Sequence, residues 1–92
     1  MERVMVKEGQ YLAVFNSTHR VMKAEKLLKS HKFDILLIPA PRALQTECGL
    51  AIRFDENIKS KVMNLLKDNG LAPAFVSQFI KGVYQHIEGL QQ

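Results

Sequence analysis

Two periodicities alternate along this chain, and together they predict six elements. Tyr11–Asn16 (YLAVFN) is a short apolar and aromatic run ending at Ser17-Thr18, residue types that open helices, so it reads as a strand feeding a helix. From Thr18 to about His31 the apolar residues Val21, Ala24, Leu27 and Leu28 recur at helical spacing, with Lys23, Lys26 and Lys29 opposite them. Asp34–Ile38 (DILLI) is almost continuously apolar, as in a strand covered on at least one face. Gly49–Phe54 (GLAIRF) alternates, with Leu50, Ile52 and Phe54 on one face and Ala51 and Arg53 on the other. Asp55 then stands as an N-cap with Glu56 in the first turn, followed by the stripe Ile58, Val62, Leu65, Leu66 and a stop at Asn69-Gly70.

The last quarter reads two ways. Phe75, Phe79, Val83, Ile87 and Leu90 stand three or four apart and fit a helix, yet Gly82–Ile87 (GVYQHI) also fits a strand. The expectation is a short helical turn across Ala74–Ile80 and then a closing strand. The order strand, helix, strand, strand, helix, strand predicts an α+β domain of the ferredoxin-like, split βαβ class, an antiparallel sheet with both helices on one face. No repeat, low-complexity tract or linker divides the chain, so residues 1–92 form one domain.

Composition narrows the setting. With 47% hydrophobic residues a packed core is expected rather than disorder. Met1–Gln10 is charged and lacks the apolar core of a signal peptide, and the longest apolar run, Ile35–Ala40, is too short for a bilayer and broken by Pro39. A cytoplasmic location away from membranes follows as the expectation. The net charge of +4 is a mild bias, not the dense basic face of a dedicated nucleic-acid binder. Arg20, Lys23, Lys26, Lys29 and Lys32 repeat every third residue, so successive members drift by roughly 60° around a helix and spread out as a solvated face. The third strand also lacks exposed aromatics for base stacking, so RNA binding is not expected.

One cysteine, Cys48, leaves no intramolecular disulfide to form; sulfur could pair only across a dimer, in which the two-sided apolar strand Ile35–Ile38 would suit burial. Cys48 ends the connection Pro39–Glu47, which two prolines stiffen. In a split βαβ fold the hairpin into the third strand turns at the same sheet edge where the first helix begins. Cys48 should therefore lie beside Asn16, Ser17, Thr18, His19 and Arg20. That helix start carries two cationic residues, no capping box and unpaired N–H groups, a pattern that suits a thiolate or a bound oxyanion, and Arg42 could add a further positive charge. Glu47 opposes this unless its side chain diverges, as neighbours at a strand start do.

The competing reading treats Cys48 as a small buried hydrophobe. His19 is in the same position: either the base of a Cys48–His19 dyad or a solvated first-turn residue. The three histidines are scattered, so no metal is expected, and neither a P-loop, a nucleophile elbow nor a dinucleotide fingerprint is present.

Taken together, Tyr11–Asn16 with Ser17-Thr18, Glu25 in the first helix, Pro39-x-Pro41-Arg42, and Cys48-Gly49 leading into Leu50–Phe54 resemble the bacterial selenium/sulfur carrier-like family. The likeness covers about residues 10 to 70. Cys48 matches that family's cysteine, and Ser17, Thr18, Arg42 and Gly49 match other recurring positions. Gln45 departs from the small hydroxyl residue usual there, and Leu71–Ile80 is longer than usual. The resemblance implies a carrier rather than a turnover enzyme: sulfur or selenium is accepted on Cys48 as a persulfide or selenosulfide from a cysteine desulfurase-like donor and passed to an acceptor protein, without a cofactor. A small-molecule-sensing or protein-interaction module of the same fold is the alternative.

Overall fold

The computed structural model describes residues 5–44 and 46–89. Its centre is β1 (Tyr11–Val14), whose four side chains are all buried, two on each face of the sheet. The chain continues through α1 (Thr18–Ser30), β2 (Ile35–Pro39), a 3₁₀ turn at Arg42–Leu44, β3 (Leu50–Phe54), a 3₁₀ turn at Glu56–Ile58, α2 (Lys59–Asp68), β4 (Phe75–Ile80) and β5 (Val83–Gly89). Among the described residues the strands form one antiparallel sheet in the order β2-β3-β1-β4-β5. An α+β architecture with two helices on one antiparallel sheet is therefore present. The expected four-strand ferredoxin-like sheet is not: a fifth strand extends it beyond β4.

Register sorts the side chains. Tyr11 opposes Phe54 and Ala13 opposes Ile52, which puts all four on the helix-bearing face; the Tyr11 and Phe54 rings stack at 5.7 Å. There they meet Val21, Ala24 and Leu28 of α1 and Val62, Met63 and Leu66 of α2. Each large side chain buried in this way contributes about 1.5–3 kcal/mol. Leu12, Val14, Ala51 and Ile38 form a second buried layer on the opposite face, closed by Val6 of the N-terminal segment. Arg53 holds that segment in place, donating from its guanidinium to the Met5 carbonyl oxygen at 2.7 Å.

Helix ends follow their sequence signals, with one change. The Asn69-Gly70 stop is a full Schellman closure: Gly70, at φ +69°, lets its own N–H reach the Lys67 carbonyl and the Leu71 N–H reach that of Leu66. Asp55 precedes the 3₁₀ turn rather than α2 itself. Its carboxylate accepts from the Gln10 side-chain amide instead of capping a helix N–H.

The last quarter differs from expectation. Ala74–Ile80 is not a helical turn; Phe75–Ile80 is strand β4, and β4 turns directly into β5. The two-residue connection, Lys81-Gly82, has both φ values positive (+52° and +78°), the geometry that matches strand twist in a tight hairpin. The Glu8 carboxylate accepts the Lys81 N–H and steadies it. A spacing of four satisfies a strand face as well as a helix face, so Phe75, Phe79 and Val83 did not discriminate; Leu90 lies outside the described residues.

Candidate functional site

The connection between β2 and β3 is closed at its base by the Ala40 N–H donating to the Gly49 carbonyl at 2.9 Å. Inside it, Pro41 opens the 3₁₀ turn, with the Leu44 N–H returning to the Pro41 carbonyl. Thr46 accepts the Gly49 N–H on its hydroxyl at 2.7 Å, and Gly49 itself sits at φ +73°. That conformation is open to glycine and costly for residues with a Cβ. Cys48 is thus fixed between a side-chain clamp and a left-handed glycine. Gln45 lies outside the described residues.

Cys48 is half-buried and packs against the helix-side core. Its Sγ donates to the Phe15 carbonyl oxygen at 3.3 Å and to that of Leu50 at 3.4 Å. Phe15 follows β1 and stands two residues before Ser17, the N-cap of α1. The topological address deduced for the thiol, the edge where the first helix begins, is where the sulfur lies. The two carbonyl oxygens share the single thiol proton, so the resting thiol is docked onto backbone carbonyls.

Of the two candidate caps, Ser17 does the work: its hydroxyl accepts the Arg20 N–H at 3.1 Å, and Thr18 is the exposed first helical residue. No acidic side chain occupies the first turn. His19 is exposed, and no hydrogen bond joins it to Cys48 among the described residues. Arg20 donates from its guanidinium to the Gly70 carbonyl at 2.9 Å, just past the end of α2. Arg42 is exposed and lines a cleft of about 520 Å³ with Pro39, Pro41, Phe79 and Tyr84. Phe79 and Tyr84 border the face opposite the helices, whereas Cys48 packs on the helix side. Ser17, Cys48 and Gly49 are therefore gathered at one edge, while the charged ends of Arg20 and Arg42 serve other surroundings.

Thr46 and Phe15 are the participants that sequence reasoning missed. Thr46 had a legible signal, a hydroxyl residue three positions before a glycine N–H. Phe15 acts only through its carbonyl, which no side-chain pattern reveals. Among the described residues no group of three His, Cys, Asp or Glu side chains converges as a metal site, and no helix is long and apolar enough to cross a membrane.

Comparison with known proteins adds one match. The model of the family described as "Putative Se/S carrier protein-like" matches residues 10–78, which span β1 through most of β4 and include the whole Cys48 connection. No curated protein and no solved structure matches the chain.

Proposed function

We propose a function from one premise: this chain belongs to the Se/S carrier protein-like family, whose model covers residues 10–78 of its 92. On that premise Cys48, the one cysteine of the sequence, is the atom that carries the cargo. The observation that supports it most directly is the docking of Cys48 Sγ at the edge where α1 begins, in a loop clamped by Thr46 and Gly49. A half-buried residue at a loop end is neither sealed in the core nor fully open to solvent, as a carrier thiol that must meet a donor requires.

The transfer step balances without a cofactor. The Cys48 thiolate attacks the outer sulfur of a donor persulfide; a new S–S bond forms to Cys48, the donor's S–S bond breaks, and its electron pair leaves on the donor's thiolate. The proton released from Cys48 passes to that leaving thiolate or to water. In the second step a nucleophile of the acceptor takes the outer sulfur and Cys48 leaves as thiolate. A selenosulfide passes selenium by the same exchange. Donors of the cysteine desulfurase type and an acceptor protein are the partners this chemistry requires. The start of α1, with Ser17, Thr18 and His19, favours an anionic adduct through its N–H groups, while Arg42 lines the cleft on the other face of the sheet. Arg20 contributes by fixing that helix start against α2. The chemistry belongs to a reducing, cytoplasmic setting.

Intact mass after incubation with a cysteine desulfurase and cysteine, or with the desulfurase and selenocysteine, tests the reading. Gain of one sulfur or selenium atom, reversed by dithiothreitol and absent in Cys48→Ser, supports it. A folded wild-type protein that gains neither would sink it.

The cleft lined by Arg42, Pro41 and Tyr84 favours a second reading, a small-molecule-sensing module. A ligand-dependent rise in melting temperature that is lost in Arg42→Ala but unaffected by Cys48→Ser would support that reading in place of the carrier.

A further inference from the structure

On the face of the sheet opposite the helices, the cleft of about 520 Å³ lies between the N-terminal segment, the connection after β2 and the paired strands β4 and β5. Buried Val6 and Ile38 line it together with Pro41, Phe79 and Tyr84. The Phe79 and Tyr84 rings lie 4.8 Å apart, tilted at 46°. The volume falls in the range of about 300–1,000 Å³ that encloses a small organic ligand. Among the described residues that line it there is no aspartate or glutamate, and the one charged side chain is that of Arg42.

Arg42 differs from the other arginines of the described residues. Arg20 and Arg53 each donate to a backbone carbonyl oxygen, of Gly70 and of Met5. Arg42 is exposed and makes no hydrogen bond or ion pair among the described residues. A guanidinium is a planar fork of donors that fits a carboxylate through two parallel bonds. An unengaged fork beside apolar and aromatic walls complements a ligand with one anionic group and an apolar body. The net charge of +4 favours the approach of such an anion.

We propose, resting on the second reading above, that this cleft binds a small monoanion with an apolar body, an aryl or acyl carboxylate. The carboxylate pairs with Arg42, and the body lies against Val6, Ile38, Phe79 and Tyr84. The same connection between β2 and β3 thus serves two faces of the sheet, with Arg42 at the cleft and Cys48 on the helix side.

Anilinonaphthalene sulfonate, a fluorescent anion with an apolar body, reports the site on the full chain. Its fluorescence should rise and saturate at one probe per protein. Naphthoate should displace it at lower concentration than naphthalenemethanol, which has the same rings and no charge. Arg42→Ala should weaken naphthoate about fivefold, as for an exposed charge pair, and so bring the acid level with the alcohol. Ala43→Trp fills the cleft from an exposed position and should abolish saturable binding while leaving the melting temperature near wild type.

The failures are distinguishable. If acid and alcohol compete equally in the wild type, the anion is overturned while the cleft remains a small-molecule site. Absence of saturable binding, or binding unchanged in Ala43→Trp, overturns the cleft itself. Cys48→Ser should bind the probe as the wild type does, so none of these results bears on sulfur loading.

Discussion

The Cys48 thiol donates to the carbonyl oxygen of Phe15 at 3.3 Å, tying the start of β3 to the exit of β1, two residues from the helix cap Ser17. This contact sits in a loop in which Thr46 accepts the Gly49 N–H and Gly49 takes a left-handed conformation.

Gly49→Ala should therefore destabilise the protein by about 1–2 kcal/mol, the cost of holding a Cβ in left-handed backbone. Open space surrounds the position, so no clash adds to it. Gly49→Asn should cost less, because asparagine visits that region more readily. Urea unfolding of the two variants checks the order; equal losses would show that space, not backbone, is limiting.

Thr46→Val removes the acceptor of the Gly49 N–H and should cost about 1 kcal/mol, whereas Thr46→Ser retains the bond. Loosening the clamp should also speed alkylation of Cys48 by a bulky maleimide in the valine variant and leave the serine variant near wild type. An unchanged rate in Thr46→Val would mean that the clamp does not govern access to the sulfur.

Much of this was legible in the chain. α1 and α2 declared themselves through apolar stripes, because each packs one face on a core and one towards solvent, and β3 through alternation of large apolar residues on the helix face with Ala51 and Arg53 on the other. The address of Cys48 followed from topology alone, since split βαβ connectivity places the second-to-third strand hairpin beside the first helix start. β4 was not legible, because Phe75 and Phe79 at a spacing of four serve either periodicity, and Lys81 conceals a turn that asparagine or glycine would have announced. The partners of Arg20 and Arg53 were hidden as well. Each guanidinium reaches a backbone carbonyl about fifty positions away, and carbonyls leave no trace in sequence.

Lys81 itself supplies a prediction with the opposite sign. At φ +52° it holds a conformation that glycine and asparagine adopt at lower cost, and Lys81→Asn or Lys81→Gly should stabilise the hairpin by up to about 1 kcal/mol. The Glu8 carboxylate bonds the backbone N–H of residue 81, so it is retained in both variants. A fall in melting temperature for both would contradict this account of the turn.

Arg20→Gln tests whether Arg20 acts on the fold or on the cargo. Loss of the bond to the Gly70 carbonyl, at a helix C-terminus that favours a cation, should cost about 1 kcal/mol. Since the guanidinium is turned to α2, sulfur loading of Cys48, measured well below the melting temperature, should be preserved. A variant of unchanged stability that loads poorly would instead place Arg20 at the adduct.

Cys48→Ser separates the two readings of the cysteine itself. Serine keeps a donor for the Phe15 and Leu50 carbonyls, so the loop should close as before and stability should change by less than about 1 kcal/mol. Cys48→Ala leaves those carbonyls without the thiol and should be the less stable of the pair. If Cys48 is a carrier, both variants lose all loading while only the alanine variant loses measurable stability. If Cys48 serves packing alone, the order of stability is the same but the wild type never loads. The joint measurement of unfolding free energy and adduct mass on the three proteins therefore distinguishes structural sulfur from working sulfur, because the hydrogen bonds affect the first and the nucleophile alone affects the second.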